Sequence, residues 1–239
     1  MADFRPAYPH GQFDEVFPDL FFLRGSLRLG PGVSITRNMV VVRQGDELTL
    51  INSVRLSDEG EAELERLGKV RHLVRLGFFH GADDAYYLHR YEPTFWAPKG
   101  QRHAAGVSPD HELRDRQTPI ERSSAFSFEN GKHAEALLLL EREGGVVVPC
   151  DSYQNWTTFE GCSAIGKVMM RALRFGPTII GGPWVGRMGA SVRKDFDALV
   201  ERDFRHLLPA HGEPLHGTAK DGLKAAIRHR FSGPTNVVF

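Results

Sequence analysis

The chain has 239 residues, 41% of them apolar and 25% charged, and its 30 basic residues balance its 30 acidic ones. This is the composition of a globular protein long enough to bury a substantial core. It argues against an extended basic surface for nucleic acid or for an anionic membrane, while a local basic patch stays open. Two cysteines, Cys150 and Cys162, are too few for a disulfide framework, and there is no Cys-x-x-Cys pair of the kind that builds a zinc cluster. No apolar run nears the roughly 20 residues that span a bilayer. The first 20 residues mix acidic residues with prolines, so no secretory signal is expected and the cytoplasm is the expected location.

In chain order, "LFFLRGSLRL" (20–29), "ITRNMVVVRQ" (35–44) and "ELTLINSV" (47–54) read as strands. Gly45-Asp46 between the last two is a two-residue hairpin turn. Ser57 followed by Asp58 and Glu59 predicts a capped helix that runs to Leu67 and stops at Gly68. "VRHLVRLGFF" (70–79) reads as a strand, the stretch after Asp83-Asp84 as a helix, and "TFWAP" (94–98) as a short strand ended by its proline. A polar loop over 99–122 carries His103 and His111. "AFSFEN", "EALLLLER" (135–142) and "VVVPCDSY" (146–153) are β-rich again, the last two joined through Gly144-Gly145.

The second half ends in helical segments. One lies over 163–174. An amphipathic helix over 190–204 carries Phe196, Leu199, Val200 and Phe204 on one stripe. The glycine-rich stretch between them reads as a loop. A strand over 205–210 precedes a final helix, which starts near a Thr218-x-x-Asp221 capping box and carries Leu223, Ile227 and Phe231 at four-residue spacing. Two sheet-forming halves that each end in helices predict a four-layer αββα sandwich of α/β class, one domain over residues 1–239.

Ligand-type residues stand just beyond several strand ends: His80, Asp83 and Asp84 after the 70–79 run, Asp151 after "VVVPC", and His211 after "HLLPA". His133 lies in the turn before the 135–142 run. Neutral imidazoles and carboxylates are ligands for zinc, iron or manganese. One such residue means little. Several brought to one edge of the fold would make a metal site. Each also has a plainer reading: a backbone-bonded histidine for His80 and His211, a turn cap for Asp151, an exposed turn residue for His133. Cys150 is expected to alternate away from Asp151 as an inert thiol.

Four segments, taken in order, resemble the metallo-β-lactamase-fold hydrolases. "MVVVRQGDELTLINSV" resembles their opening hairpin. "LGKVRHLVRLGFFHGADDA" resembles the segment that leads into their His-x-His-x-Asp-His cassette. "GKHAEALLLLEREGGVVVPCD" resembles the turn, hairpin and bridging aspartate. "HLLPAHGEPL" resembles the closing strand and last histidine. The resemblance implies an αββα fold and a metal held by His80, Asp84, His133, Asp151 and His211. Asp84 or Asp151 would orient a water or accept its proton. The cassette is degenerate. Ala82 and Ala85 stand at two histidine positions and Asn52 at an aspartate position, so one transition metal ion (zinc, iron or manganese) is expected rather than two. His103 or His111 could stand in for a missing ligand.

The function that follows is a metal-dependent hydrolase acting on an ester, amide or phosphoester bond of a small molecule. The alternative is a metal-free member of the fold that binds a ligand or a partner. A serine hydrolase using Ser163 is a third idea, weakened because "GCSAIG" has Ile165 where a nucleophile elbow has glycine. No nucleic-acid or membrane partner is indicated. The segment 176–189 reads either as an active-site loop or as a homodimer contact.

Overall fold

The computed structural model describes residues 4–103 and 106–232. Strands β1 (Asp14–Phe17), β2 (Leu20–Gly30), β3 (Val33–Gln44) and β4 (Glu47–Ile51) form an antiparallel meander. The sheet continues in parallel through β5 (Lys69–Val74), β6 (Thr94–Pro98) and β7 (His111–Leu113), in the order β1 to β7. The second sheet has β8 (Ser123–Ser127), β9 (Ala136–Leu140), β10 (Val146–Val148) and β11 (His206–Leu207), in the order β11-β10-β9-β8. In it β10 and β11 run parallel, while β9 opposes both of its neighbours.

Alternation along the strands separates three apolar layers. Leu20, Phe22, Val40, Val42, Ile51 and Val74 of the first sheet face Leu138, Leu140, Val146 and Val148 of the second. The other side of the first sheet packs Phe21, Leu23, Met39, Leu50 and Leu73 on Leu64 of α1 (Asp58–Leu67) and Tyr87 of α2 (Asp84–Tyr91). The other side of the second sheet packs Leu137, Leu139, Val147 and Leu207 under α4 (Gly182–Met188), α5 (Arg193–Leu199) and α6 (Ala219–Phe231). The result is the expected αββα sandwich. Strand β9 is buried throughout, which is why its sequence is an unbroken apolar run rather than an alternating one.

The turn signals worked locally. Gln44 pairs with Glu47 across the Gly45-Asp46 turn. Ser57 caps α1 by accepting the Gly60 N–H. Four expectations are corrected. The 70–79 strand ends at Val74, where the chain leaves the sheet for a loop that ends in His80. The glycine-rich "loop" contains α4, which starts with Pro183 in its first turn, a position that needs no proline N–H, and buries Trp184. The 190–204 helix is a 3-10 turn followed by the short α5. Thr218 makes no side-chain capping bond.

Candidate functional site

Strand direction decides which residues meet. Because β10 and β11 are parallel, their carboxyl ends lie side by side, and Asp151 and His211 follow them. Strand β9 runs the other way, so Glu135, just before its start, lies at the same edge. From the first sheet, the loop after β5 brings in His80. This loop approaches closely enough that Gly77 packs directly on the Cys150 side chain and the Glu135 carboxyl, leaving no room for a side chain.

The His211 turn is held from two sides. Asn38 on β3 donates its Nδ2 to the carbonyls of Pro209 (2.9 Å) and Gly212 (2.8 Å), and its backbone N–H to Ala210 (2.8 Å). Gly212 has φ +85° and lies hard against the Asn155 backbone, so the sharp turn read from "AHGEP" does require glycine there.

Three side chains converge in burial. The Nε2 atoms of His80 and His211 are 3.2 Å apart. Asp151 presents Oδ2 to His80 Nε2 at 3.4 Å and Oδ1 to His211 Nε2 at 3.2 Å. His211 Nδ1 lies 2.8 Å from the Thr36 carbonyl, which can only accept, so Nδ1 carries the proton. In the neutral ring Nε2 is then a bare lone pair, facing a carboxylate oxygen and a second imidazole nitrogen. A proton on His80 Nε2, whose Nδ1 has no partner among the described residues, or a metal cation in its place satisfies this arrangement.

Burial lowers the His80 pKa to about 3, an effect that the nearby Asp151 carboxylate only partly opposes. Burial alone would raise Asp151. The two histidines, with the Cys150 thiol, outweigh it and hold the carboxyl at about 2. At neutral pH the cluster therefore presents a neutral imidazole beside an ionised carboxylate, the forms that bind metals.

Around this cluster, Trp156 stacks on His211 with ring centres 5.9 Å apart and planes 16° from parallel. Its Nε1 donates to Gln154 Oε1 (2.7 Å), and Gln154 Nε2 donates to the Asp151 carbonyl (3.1 Å). Glu135 is buried. Its oxygens accept from Trp184 Nε1 (2.8 Å) and the Ser152 N–H (3.1 Å), while burial and the Asp151 charge push its pKa well up. Cys150 does not turn away from Asp151: its Sγ donates to Oδ2 at 3.2 Å. Strand alternation fails here because β10 stops at Val148 and Pro149 intervenes. His80, Cys150 and Asp151 are together a compact set of metal-capable donors.

The other expected residues lie elsewhere. Asp84 is buried at the start of α2, with Oδ1 accepting from Ser53 Oγ (2.8 Å) and Oδ2 facing Arg75 Nε at 3.9 Å. His133 is exposed and stacks on Phe78 at 4.6 Å, so its ring does not reach the cluster. The inward place in that turn is taken by Glu135, two residues later. His103 lies beside Arg75 and Phe95, and His111 against Trp96. Ser163 caps α3 (Ala164–Ala172), its Oγ accepting the N–H groups of Gly166 (3.1 Å) and Ser34 (3.0 Å). That bonding accounts for its place in the sequence without a nucleophilic role.

Sequence reasoning missed Glu135, Arg75, Asn38 and the Thr36 carbonyl. Glu135 left one signal, a carboxylate placed against an apolar run. The others left none, because nothing in a sequence tells which backbone carbonyl an imidazole meets.

No protein-family model matches the chain, and no curated protein matches it. Solved structures do match in fold. The metallo-β-lactamase FIM-1 from Pseudomonas aeruginosa, in its mono-zinc form, is 13% identical over 93% of this chain and 96% of its own, with a TM-score of 0.64. A metallo-β-lactamase from Erythrobacter litoralis is 14% identical over 94% of this chain and 96% of its own, with a TM-score of 0.59. One from Hirschia baltica is 12% identical over 90% and 97%, with a TM-score of 0.56. The chain therefore has the metallo-β-lactamase fold.

Proposed function

We propose that the protein is a mononuclear metal-dependent hydrolase, with His80, Asp151 and His211 as the protein ligands. One observation carries this reading. The three donor-to-donor distances are 3.2, 3.2 and 3.4 Å. Ligands at zinc bond lengths of about 2.0–2.1 Å on a tetrahedral ion would stand about 3.3–3.4 Å apart. The two imidazole nitrogens, and for each of them one Asp151 oxygen (Oδ2 toward His80, Oδ1 toward His211), thus stand at about the spacing of groups that would share one ion. Two imidazoles and a carboxylate suit zinc, ferrous iron or manganese. The mono-zinc form of the P. aeruginosa lactamase, with the same fold, supports zinc first.

A metal bound there supplies a Lewis acid and a water of lowered pKa. The chain's own groups do the rest. The Thr36 carbonyl fixes the His211 tautomer and aims Nε2 inward, as second-shell acceptors do for metal-bound histidines. Trp156 covers one face of His211 and excludes water there. Asp151, ionised and beside both imidazoles, would orient the water through the oxygen that the ion leaves free. The substrate would be a small molecule with an ester, amide or phosphoester bond.

The test is metal content. Protein purified without chelator should carry about one equivalent of zinc, iron or manganese, lost in both His80→Ala and His211→Ala. No metal, even after incubation with each ion, would overturn the reading in favour of a metal-free binding protein.

A further inference from the structure

We propose that the outer face of α3 is a docking surface for an anionic lipid bilayer, a role that does not depend on the metal reading above. Ile165, Val168 and Leu173 enter the apolar boundary, and Lys167, Arg171 and Arg174 meet the head groups.

The chain is neutral overall, yet residues 20–45 and 161–194 contain no aspartate or glutamate. The fold packs these two segments together. The Ser163 N–H donates to the Ser34 carbonyl (3.1 Å), and the Ser34 N–H donates to Ser163 Oγ (3.0 Å). Gly166 lies directly on the Ser34 carbonyl, where a side chain would collide, and Ile165 Cδ1 lies against Gly32 in the turn between β2 and β3. Two acid-free stretches, far apart in sequence, thus meet at α3. Arg24 is paired with Glu213 and does not count toward the surface charge. Lys167, Arg171 and Arg174 form no ion pair among the described residues.

The apolar residues are concentrated in the same two segments. The exposed large apolar side chains among the described residues are Leu29, Phe79, Ile165, Val168 and Leu173, and all but Phe79 belong to them. Ile165 is 57% exposed and Val168 66%. They stand three residues apart, on one side of the helix. The opposite side is satisfied: Met170 is buried with Trp156, the residue that stacks on His211. Helix α3 therefore has an inner face that the fold explains and an outer face, aliphatic and basic, that it does not.

Charge decides the occupant. A second copy using the same face on both partners would set the three basic residues against themselves. Protein partners are anchored mostly through aromatic and arginine side chains, and this face has no exposed large aromatic one. A bilayer rich in anionic lipid supplies spread negative charge above an apolar interior, which is what aliphatic side chains flanked by cations fit. With nine residues, α3 is too short to cross a membrane and would lie along its surface.

The experiment is cosedimentation of the full chain with vesicles, either an equal mixture of phosphatidylcholine and phosphatidylserine or phosphatidylcholine alone. Wild type should partition onto the mixed vesicles and not onto the neutral ones. Binding should weaken as salt rises from about 0.1 M to about 1 M, where the screening length falls from about 10 Å to about 3 Å. One basic residue near such a surface is worth about fivefold in affinity, so Arg171→Gln with Arg174→Gln should cost about 25-fold. Ile165→Ser with Val168→Ser should lose most of the binding although every cation remains. Arg66→Gln, on the exposed side of α1, should bind as wild type does.

No partition onto the mixed vesicles, equal partition onto both kinds, or unchanged affinity in either paired variant would overturn the proposal. A loss in Arg66→Gln as large as that in the arginine pair would overturn it too, because binding would then follow overall charge and not this face. If sedimentation velocity finds wild type dimeric and the serine pair monomeric, the face belongs to a second copy and the lipid proposal falls.

Discussion

His206 opens β11 and His211 lies in the turn that follows it, five residues on, and only His211 faces the buried donor cluster. His206 is part-exposed, and both of its ring nitrogens are already engaged with backbone: Nε2 with the Glu143 carbonyl (3.0 Å) and Nδ1 with the Gly217 N–H (3.2 Å). His211 is buried, has one nitrogen pinned to Thr36, and aims the other at His80 and Asp151. His72 turns Nδ1 to a side-chain partner instead, accepting from Trp96 Nε1 (3.3 Å). What sets His211 apart is a nitrogen turned toward other donors, with its second nitrogen fixed by a backbone carbonyl.

The sharpest way to break this comparison is to remove each histidine in turn. His211→Ala should lower zinc affinity by more than the roughly 100-fold that outer-shell losses cost, while His206→Ala should leave it unchanged. Competition with a chromogenic chelator measures both. Equal losses would mean that donor convergence does not decide binding.

The second test is pH. In the metal-free protein the His80 pKa is depressed to about 3, so the stability it contributes is full above the ordinary histidine value near 6.5. That stability should fall by about 1.4 kcal/mol per pH unit as pH drops from there toward 3. Urea unfolding at several pH values should show the slope, and His80→Gln should remove it.

A smaller effect is expected at Glu135. In Glu135→Gln an amide NH₂ would face either Trp184 Nε1–H or the Ser152 N–H, at a cost of about 1–3 kcal/mol. The raised Glu135 pKa means that its contribution is full below the usual glutamate range and is lost as pH rises. The penalty of the Gln variant should therefore shrink with rising pH. A penalty that grows with pH would contradict this. The smallest effect should come from Ser163→Ala, which removes a helix cap at about 0.5–2 kcal/mol and leaves metal content and any hydrolytic activity intact.

The layers of the fold were legible because they depend on local patterns. The alternation in β2 to β4, the Gly45-Asp46 turn and the Ser57 cap each act over a few residues. The buried cluster was legible only where a donor follows a strand end, as His80, Asp151 and His211 do. It was misread where a neighbour in sequence took the inward place. Glu135 already belongs to the ladder, its carbonyl accepting the Phe128 N–H, whereas His133 lies in the bend before it, so the course of the turn and not residue chemistry sets which of the two points inward. Asp84 was read as a ligand because its offset from His80 fits, but its partner Arg75 stood inside a run that looked like uninterrupted strand. Ion pairs formed across a loop leave no spacing signal.

The central claim is that His80, Asp151 and His211 hold a single metal ion. Crystals of zinc-loaded protein, with anomalous diffraction recorded on both sides of the zinc edge, test it most directly. The account predicts one strong peak about 2.0–2.2 Å from His80 Nε2, His211 Nε2 and an Asp151 oxygen, and none beside Asp84. A peak at Asp84, or no peak among the three side chains, would contradict it.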